Sequence, residues 1–296
     1  MSGRQYGLGF GLTIQTDMAL PGMCRLPVTD PLIATGSDIE ITGGQPKTGR
    51  SEVELGPYRV VQGKLLFEVR DTACFTCTEH SIRVAQDSKA DAGTVSGLLV
   101  ATALPAVLWM RGEIILHAAA AQLPGAAGAV AIAGASGSGK STILDQLCSA
   151  GARMVADDSL CVRMTGSGVE GSGLPGGYFL GRPDTNAREF RAVPETKQRM
   201  TAPIAAILIL AEPRSGSSAE LERLRGIDAL EALLVHRHRP RIPALLGLEK
   251  TNLAALVRLT ERVPIYRWHR RKGSVALDEC EMALCSWRED GSPKTA

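Results

Sequence analysis

The stretch Gly134-Ala135-Ser136-Gly137-Ser138-Gly139-Lys140-Ser141-Thr142 fits the pattern G-x-x-x-x-G-K-[ST] without a mismatch. An apolar run, Ala129-Val-Ala-Ile-Ala133, precedes it. A helical pattern over residues 141–148 follows it and closes at Gly151. Strand, glycine-rich turn and helix, in that order, are what a phosphate cradle requires. Glycines let the backbone wrap an anion so that consecutive N–H groups point inward. The helix N-terminus adds partial positive charge. Lys140 is expected to reach the β- and γ-phosphates of a nucleotide, and Ser141 to offer a hydroxyl to Mg²⁺. Residues 134–142 are therefore the expected nucleotide-binding site.

The next strand pattern, Arg153-Met-Val-Ala156, ends in Asp157-Asp158, with Asp157 only 17 residues past Lys140. An apolar strand ending in acids beside a phosphate loop reads as a Walker-B-like site. One carboxylate can position Mg²⁺, and the other can accept a proton from a substrate hydroxyl. The plain alternative is a pair of turn acids closing a strand. His117 lies in Ile114-Ile-Leu-His-Ala-Ala-Ala-Ala121, 17 residues before Gly134. The run at 114–121 and the run at 129–133 flank the turn Leu123-Pro-Gly-Ala-Ala-Gly128, and neither alternates, so they read as a hairpin central in a sheet. A lone His among alanines is ordinarily a satisfied core residue. If the hairpin pairs this way, His117 also stands near the loop, within reach of an Asp or the nucleotide.

Outward from this centre, residues 1–92 have a β texture. Short stretches such as Tyr58-Arg-Val-Val61, Leu65-Leu-Phe-Glu-Val69 and Ser81-Ile-Arg-Val-Ala85 are separated by turn residues. A helix is expected over residues 92–110. The longest apolar run, residues 95–110, contains Pro105 and stops at Arg111. It falls short of the roughly 20 residues of a membrane span, so a buried helix is expected. The first 15 residues hold a single basic residue, Arg4, and no continuous apolar stretch of signal-peptide type. Beyond residue 129 strands and helices are expected to alternate, as in an α/β sheet. Residues 165–182, rich in Gly and Ser, read as a long surface loop. Ile204-Ala-Ala-Ile-Leu-Ile-Leu-Ala211 reads as a buried strand, and residues 219–236 as a helix.

Composition narrows the classes. The chain of 296 residues carries a net charge of +2 and only 4% aromatics, which argues against a nucleic-acid binder with stacking platforms. Seven cysteines, an odd number, in a chain this long read as reduced thiols in the cytoplasm. Cys74-Phe-Thr-Cys77 has ligand spacing but lacks a second Cys/His pair, so two small strand residues are expected there.

Leu116-His117, the loop Gly134 to Ser141 and Val155-Ala-Asp-Asp158, in this order, resemble the C-terminal catalytic domain of HPr serine kinase/phosphorylase. More closely they look like the shorter HPr-kinase-related proteins of peptide-biosynthesis gene clusters, including lasso-peptide precursor kinases. The resemblance covers residues 95–212 well. It implies an α/β fold with a P-loop kinase core of the HPr kinase/PEP carboxykinase type, a mixed sheet with flanking helices, at residues 93–296. A small β-rich N-terminal domain, residues 1–92, precedes it. It also implies Asp157 as catalytic base, His117 as its assistant, Lys140 on the phosphates, and Asp158 with Ser141 at the metal. The implied reaction moves a phosphoryl group from ATP, with Mg²⁺, to a Ser hydroxyl of a peptide or small protein. Thr142 stands where the bifunctional enzymes carry Glu, and their Glu-Ile-Arg-Gly-type signature is absent. These departures weigh against HPr as substrate and against phosphorylase activity.

The charge is uneven. Residues 1–110 have a net charge of −2, and residues 111–296 of +4. Residues 237–272 hold ten basic residues and two acidic ones, and Arg182, Arg188, Arg191, Lys197 and Arg199 flank the glycine-rich stretch. Such residues form either a solvated surface or a wall facing phosphates. Lys197 and Arg199 are the first choices for the second role. Other readings stay open: a P-loop ATPase, a non-catalytic nucleotide-binding regulator, or a kinase of a small-molecule hydroxyl. A GTPase would need a base-reading Asn-Lys-x-Asp, which Glu249-Lys-Thr-Asn252 is not. No nucleic-acid or membrane partner is expected, and homo-oligomerisation is left open.

Overall fold

The computed structural model describes residues 4–45, 49, 51–166, 168–181, 188–212 and 220–270. The fold is mixed α/β. The first nine strands are Gln5–Gly9 (β1), Leu12–Thr16 (β2), Cys24–Leu26 (β3), Ile39–Gly43 (β4), Val53–Leu55 (β5), Tyr58–Val61 (β6), Lys64–Val69 (β7), Ala73–Cys77 (β8) and Ser81–Gln86 (β9). They form one sheet in the order β3-β1-β2-β4-β9-β8-β7-β6-β5, with the short helix Pro31–Ala34 (α1) between β3 and β4. Period-two patterning places its inner face. Ile39, Ile41, Ile82 and Val84 are buried while Glu40 and Arg83 between them are exposed. Cys74 and Cys77 both lie in β8, the strand placement expected for them.

That face packs on the apolar segment Ala92–Met110, which is long and apolar enough to cross a membrane but is 61% buried within the protein. Asp91 caps it by accepting from the Thr94 amide. The segment is three pieces: Ala92–Leu98 (α2), a π-turn over Leu99–Ala103, and Leu104–Met110 (α3). Pro105 explains the change of pitch. It supplies no N–H to the carbonyl four residues earlier, that of Ala101. Ala101 O instead accepts from His238 Nε2 at 2.9 Å and from Arg239 Nε at 3.0 Å.

The second sheet holds Ile114–Leu116 (β10), Ala118–Gln122 (β11), Ala129–Ala133 (β12), Arg153–Ala156 (β13), Leu160–Thr165 (β14) and Gly168–Ser172 (β15). Helix Lys140–Ser149 (α4) joins β12 to β13, and Gly177–Gly181 (β16) and Arg188–Ala192 (β17) make a separate hairpin. Thr201–Leu210 (β18), Glu220–Leu224 (β19) and Ile265–His269 (β20) complete it, with Gly226–Val235 (α5), Arg241–Leu245 (α6) and Glu249–Arg262 (α7) between the last two. The main path runs β10-β14-β15-β18-β12-β11-β13, and β20 pairs with both β18 and β19. Neighbours along β11 and β12 feed opposite faces. Ala118, Ala120, Ala129 and Ala131 join the core under α5 and α7, whereas Ala119, Ala121, Val130 and Ile132 join the core under α4. Burial on both faces is why neither run alternates.

Four expectations are corrected. The run 114–121 is not one strand. It breaks at His117, whose N–H donates to His236 O at 2.7 Å, so β10 pairs with β14 while β11 pairs with β12 and β13. Of the expected surface loop 165–182, residues 168–172 are strand β15 and residues 177–181 are strand β16. Gly171 and Gly173 are sites of close packing: a Cβ on Gly171 would stand 2.4 Å from Ile204 Cδ1, and one on Gly173 2.4 Å from Ala156 Cβ. Residues 220–224 are strand rather than helix, because β19 pairs antiparallel with β20. Finally, from β13 to β18 strand follows strand with no α-helix between them among the described residues, so the expected alternation holds only around α4, α5 and α7.

Candidate active site

Strand direction gathers the site. β11 runs antiparallel to β12 and to β13, so those two strands point the same way and end on one edge of the sheet. Gly134 and Asp157 leave from that edge, and β11 enters from it directly after His117. β12, β18 and β20 are mutually parallel in turn, which brings Arg270, just past β20, to the same edge. Ligands of open parallel sheets are received at such carboxyl ends.

The loop itself is a tight anion-shaped turn. Gly139, at φ 95°, is the N-cap of α4 and brings no capping side chain, so the first amides of the helix face the loop without a side-chain acceptor. Lys140 is buried and turned inward, donating from Nζ to Gly134 O at 2.8 Å and to Ala135 O at 3.0 Å. Ala135, Ser136, Gly137 and Thr142 are exposed, and Ser138 and Ser141 are half-buried. Arg270 Nη2 donates to Ser138 O at 2.8 Å. Among the described residues, Ser138 Oγ and Arg270 Nε are buried without a hydrogen-bond partner.

Ser141 Oγ donates to Asp157 Oδ1 at 2.9 Å. Burial pushes the Asp157 carboxyl up to about 6, with the neighbouring Asp158 charge adding to the rise. The Ser141 hydroxyl and the Phe179 and Asp158 amides oppose it. Asp158 goes the other way. Burial would raise it, but the hydrogen bond from His117 and the charges of His238, His117 and Lys140 outweigh burial and hold it well below the usual carboxylate range. His117 Nε2 lies 3.3 Å from Asp158 Oδ1. Two adjacent acids thus have pKa values driven apart, one suited to take a proton and one to stay charged. The backbone between them is strained: Asp158 has φ 65°, and the Ser159 amide donates across it to Asp157 O at 2.7 Å.

Two groups escaped the sequence reading, His238 and His236, and a third, Arg270, was one of the ten basic residues left open between solvated surface and phosphate wall. His238 is buried, its ring edge-on to His117 at 5.6 Å between centroids, and burial lowers its pKa. His236 is lowered to about 4, first by burial and then by the Lys140 and His117 charges, so it is neutral beside the loop. Arg270 touches the loop. The visible signal was His236-Arg-His-Arg239 in the basic stretch. Conversely, Lys197 and Arg199 lie away from the loop. Lys197 Nζ donates to Cys148 O at 3.1 Å, at the far end of α4, and Arg199 lines a cleft with Pro124, Gly151 and Arg153 at the opposite edge of the sheet. Part of the basic stretch is structural: Arg237 pairs with Glu249 and Arg267 with Glu222. Arg182, Arg271 and Lys272 lie outside the described residues.

The residues present fit a nucleotide phosphate and Mg²⁺. An uncapped helix start and two buried, unpartnered polar atoms suit an anion. A hydroxyl and two carboxylates are hard oxygen donors, and Mg²⁺ is commonly held by one or two carboxylates plus substrate phosphates rather than by an all-protein cage. No group of three or more His, Cys, Asp or Glu placed to hold a metal occurs among the described residues.

No protein-family model matches the chain, and no curated protein matches it. Among solved structures, the chain is similar to the Hpr(Ser) kinase/phosphatase from Coxiella burnetii, over 57% of this chain and 88% of that one, at 16% identity and a TM-score of 0.36.

Proposed function

We propose that the chain is an ATP- and Mg²⁺-dependent kinase that phosphorylates a Ser hydroxyl of a peptide or small protein. The observation that carries this reading is the Asp157 carboxylate, raised to about 6 and hydrogen-bonded to Ser141 of the phosphate-loop helix. ATP would supply the phosphoryl group, and Mg²⁺ would supply positive charge that offsets the charge of the transferring phosphate. The loop amides, Lys140 and Arg270 would hold the phosphates, and Ser141 and Asp158 the metal. Asp157 acts as general base. As the acceptor oxygen bonds to the γ-phosphorus and the bond to the departing ADP oxygen breaks, the acceptor proton passes to Asp157. His117 holds Asp158 ionised and in place.

A precursor peptide of the lasso type is the first acceptor to try, following the sequence resemblance. The test is incubation with ATP, Mg²⁺ and the peptide, read by intact mass. Gain of one phosphoryl group on the peptide is the expected result. Rapid ATP hydrolysis with no acceptor dependence would instead mark an ATPase, and ATP binding without turnover a regulator.

A further inference from the structure

The carboxylate pair opens into a cavity of about 270 Å³. Ser141, Asp157 and Asp158 make its polar end. Its remaining walls are mostly apolar and come from distant parts of the chain. Pro21 lies between β2 and β3, Val100 in the π-turn, and Leu174 just after β15. Phe179 and Phe190 face each other across the β16–β17 hairpin with ring centroids 5.1 Å apart. Among the described residues, no Lys or Arg lines the cavity. A charged or strongly polar group entering these walls would lose hydration without a partner. The volume lies just under the roughly 300–1,000 Å³ typical of pockets for drug-sized ligands, enough for about one or two amino-acid residues and not for a folded protein surface.

We infer that the acceptor carries an aliphatic or aromatic group next to its hydroxyl, and that this group enters the cavity between Val100, Leu174 and the Phe179–Phe190 pair. The inference rests on the kinase reading above and names its substrate class. The acceptor is an extended segment or small molecule with an apolar neighbour to the hydroxyl. The front sheet takes part in its recognition through Pro21.

Gly97 gives a clean test. It lines the same cavity from α2, and a Cβ placed on it meets nothing within 4 Å. A larger side chain there projects into the cavity, while Gly97→Ala adds a better helix former and keeps the fold. The full chain is assayed with ATP and four peptides, Ala-Ala-Xaa-Ser-Ala, with Xaa as Leu, Phe, Gly or Asp. ATP affinity is titrated in parallel. Expected are kcat/KM values about tenfold or more higher for Leu or Phe than for Gly or Asp. Gly97→Leu should remove that preference with ATP affinity unchanged, and Gly97→Ala should narrow it by less. Equal rates for all four peptides with Gly97→Leu harmless overturn the inference. Transfer to none of them, with or without ATP binding, overturns instead the kinase reading on which it rests.

Discussion

Ser141 Oγ stands 2.9 Å from Asp157 Oδ1 and joins the first turn of the phosphate-loop helix to the end of strand β13. The bond stabilises the ionised carboxylate and so opposes the burial that lifts Asp157 to about 6. Because a general base works only when ionised, kcat/KM for transfer should rise about tenfold per pH unit below 6 and level off above it. Ser141→Ala removes the opposing hydrogen bond, so its inflection should move to higher pH. A pH profile of both forms checks the direction.

The same carboxyl has a stability signature. Its folded pKa lies above the ordinary value of about 3.9. Between about pH 4 and pH 6 the folded chain therefore holds a proton that the unfolded chain has released. Stability falls as pH rises through that window, and the cost is complete above it. Asp157→Asn should melt at a higher temperature than the parent at pH 7–8, with the difference vanishing below about pH 4. Thermal midpoints across pH read this directly.

Arg270 reaches the loop from strand β20, with one nitrogen on Ser138 O and its Nε unpartnered. A cation aimed at developing phosphoryl charge is commonly worth about a hundredfold in rate or more. Arg270→Ala should lower kcat by about that factor. Arg270→Lys should fail to restore it, since an ammonium has no planar fork to span carbonyl and phosphate together. Steady-state kinetics with fixed acceptor test this.

Behind Asp157 and Asp158, Gly173 packs on Ala156, the residue before Asp157. A Cβ there would stand 2.4 Å from Ala156 Cβ and 2.8 Å from its Cα. Contact with backbone leaves little room to yield. Gly173→Ala should cost about 1–3 kcal/mol of stability and lower kcat by shifting Asp157. Denaturant melts and rate measurements together separate the two effects.

How far the sequence reached depends on the range of the interactions involved. The phosphate loop, the strand before it and the hairpin with Ala118 opposite Ala133 follow from local pattern, because each is set by neighbours in the chain. The same holds for Asp157 at a strand end. What stayed hidden depended on distant partners. The break at His117 is made by His236 O, and the π-turn answers to His238 and Arg239 through the carbonyl that Pro105 leaves unpaired. Gly171 and Gly173 looked like loop residues because close packing and flexibility use the same residue type. Lys197 was a plausible phosphate ligand by position in the chain, but the turn after β17 directs it to the wrong end of α4.

The most direct measurement compares the parent chain with Asp157→Asn under saturating ATP and Mg²⁺, reading phosphoryl transfer to the acceptor by intact mass and ATP affinity by titration. The account predicts transfer reduced about a hundredfold to ten-thousandfold with ATP affinity retained. Full transfer by Asp157→Asn would contradict it.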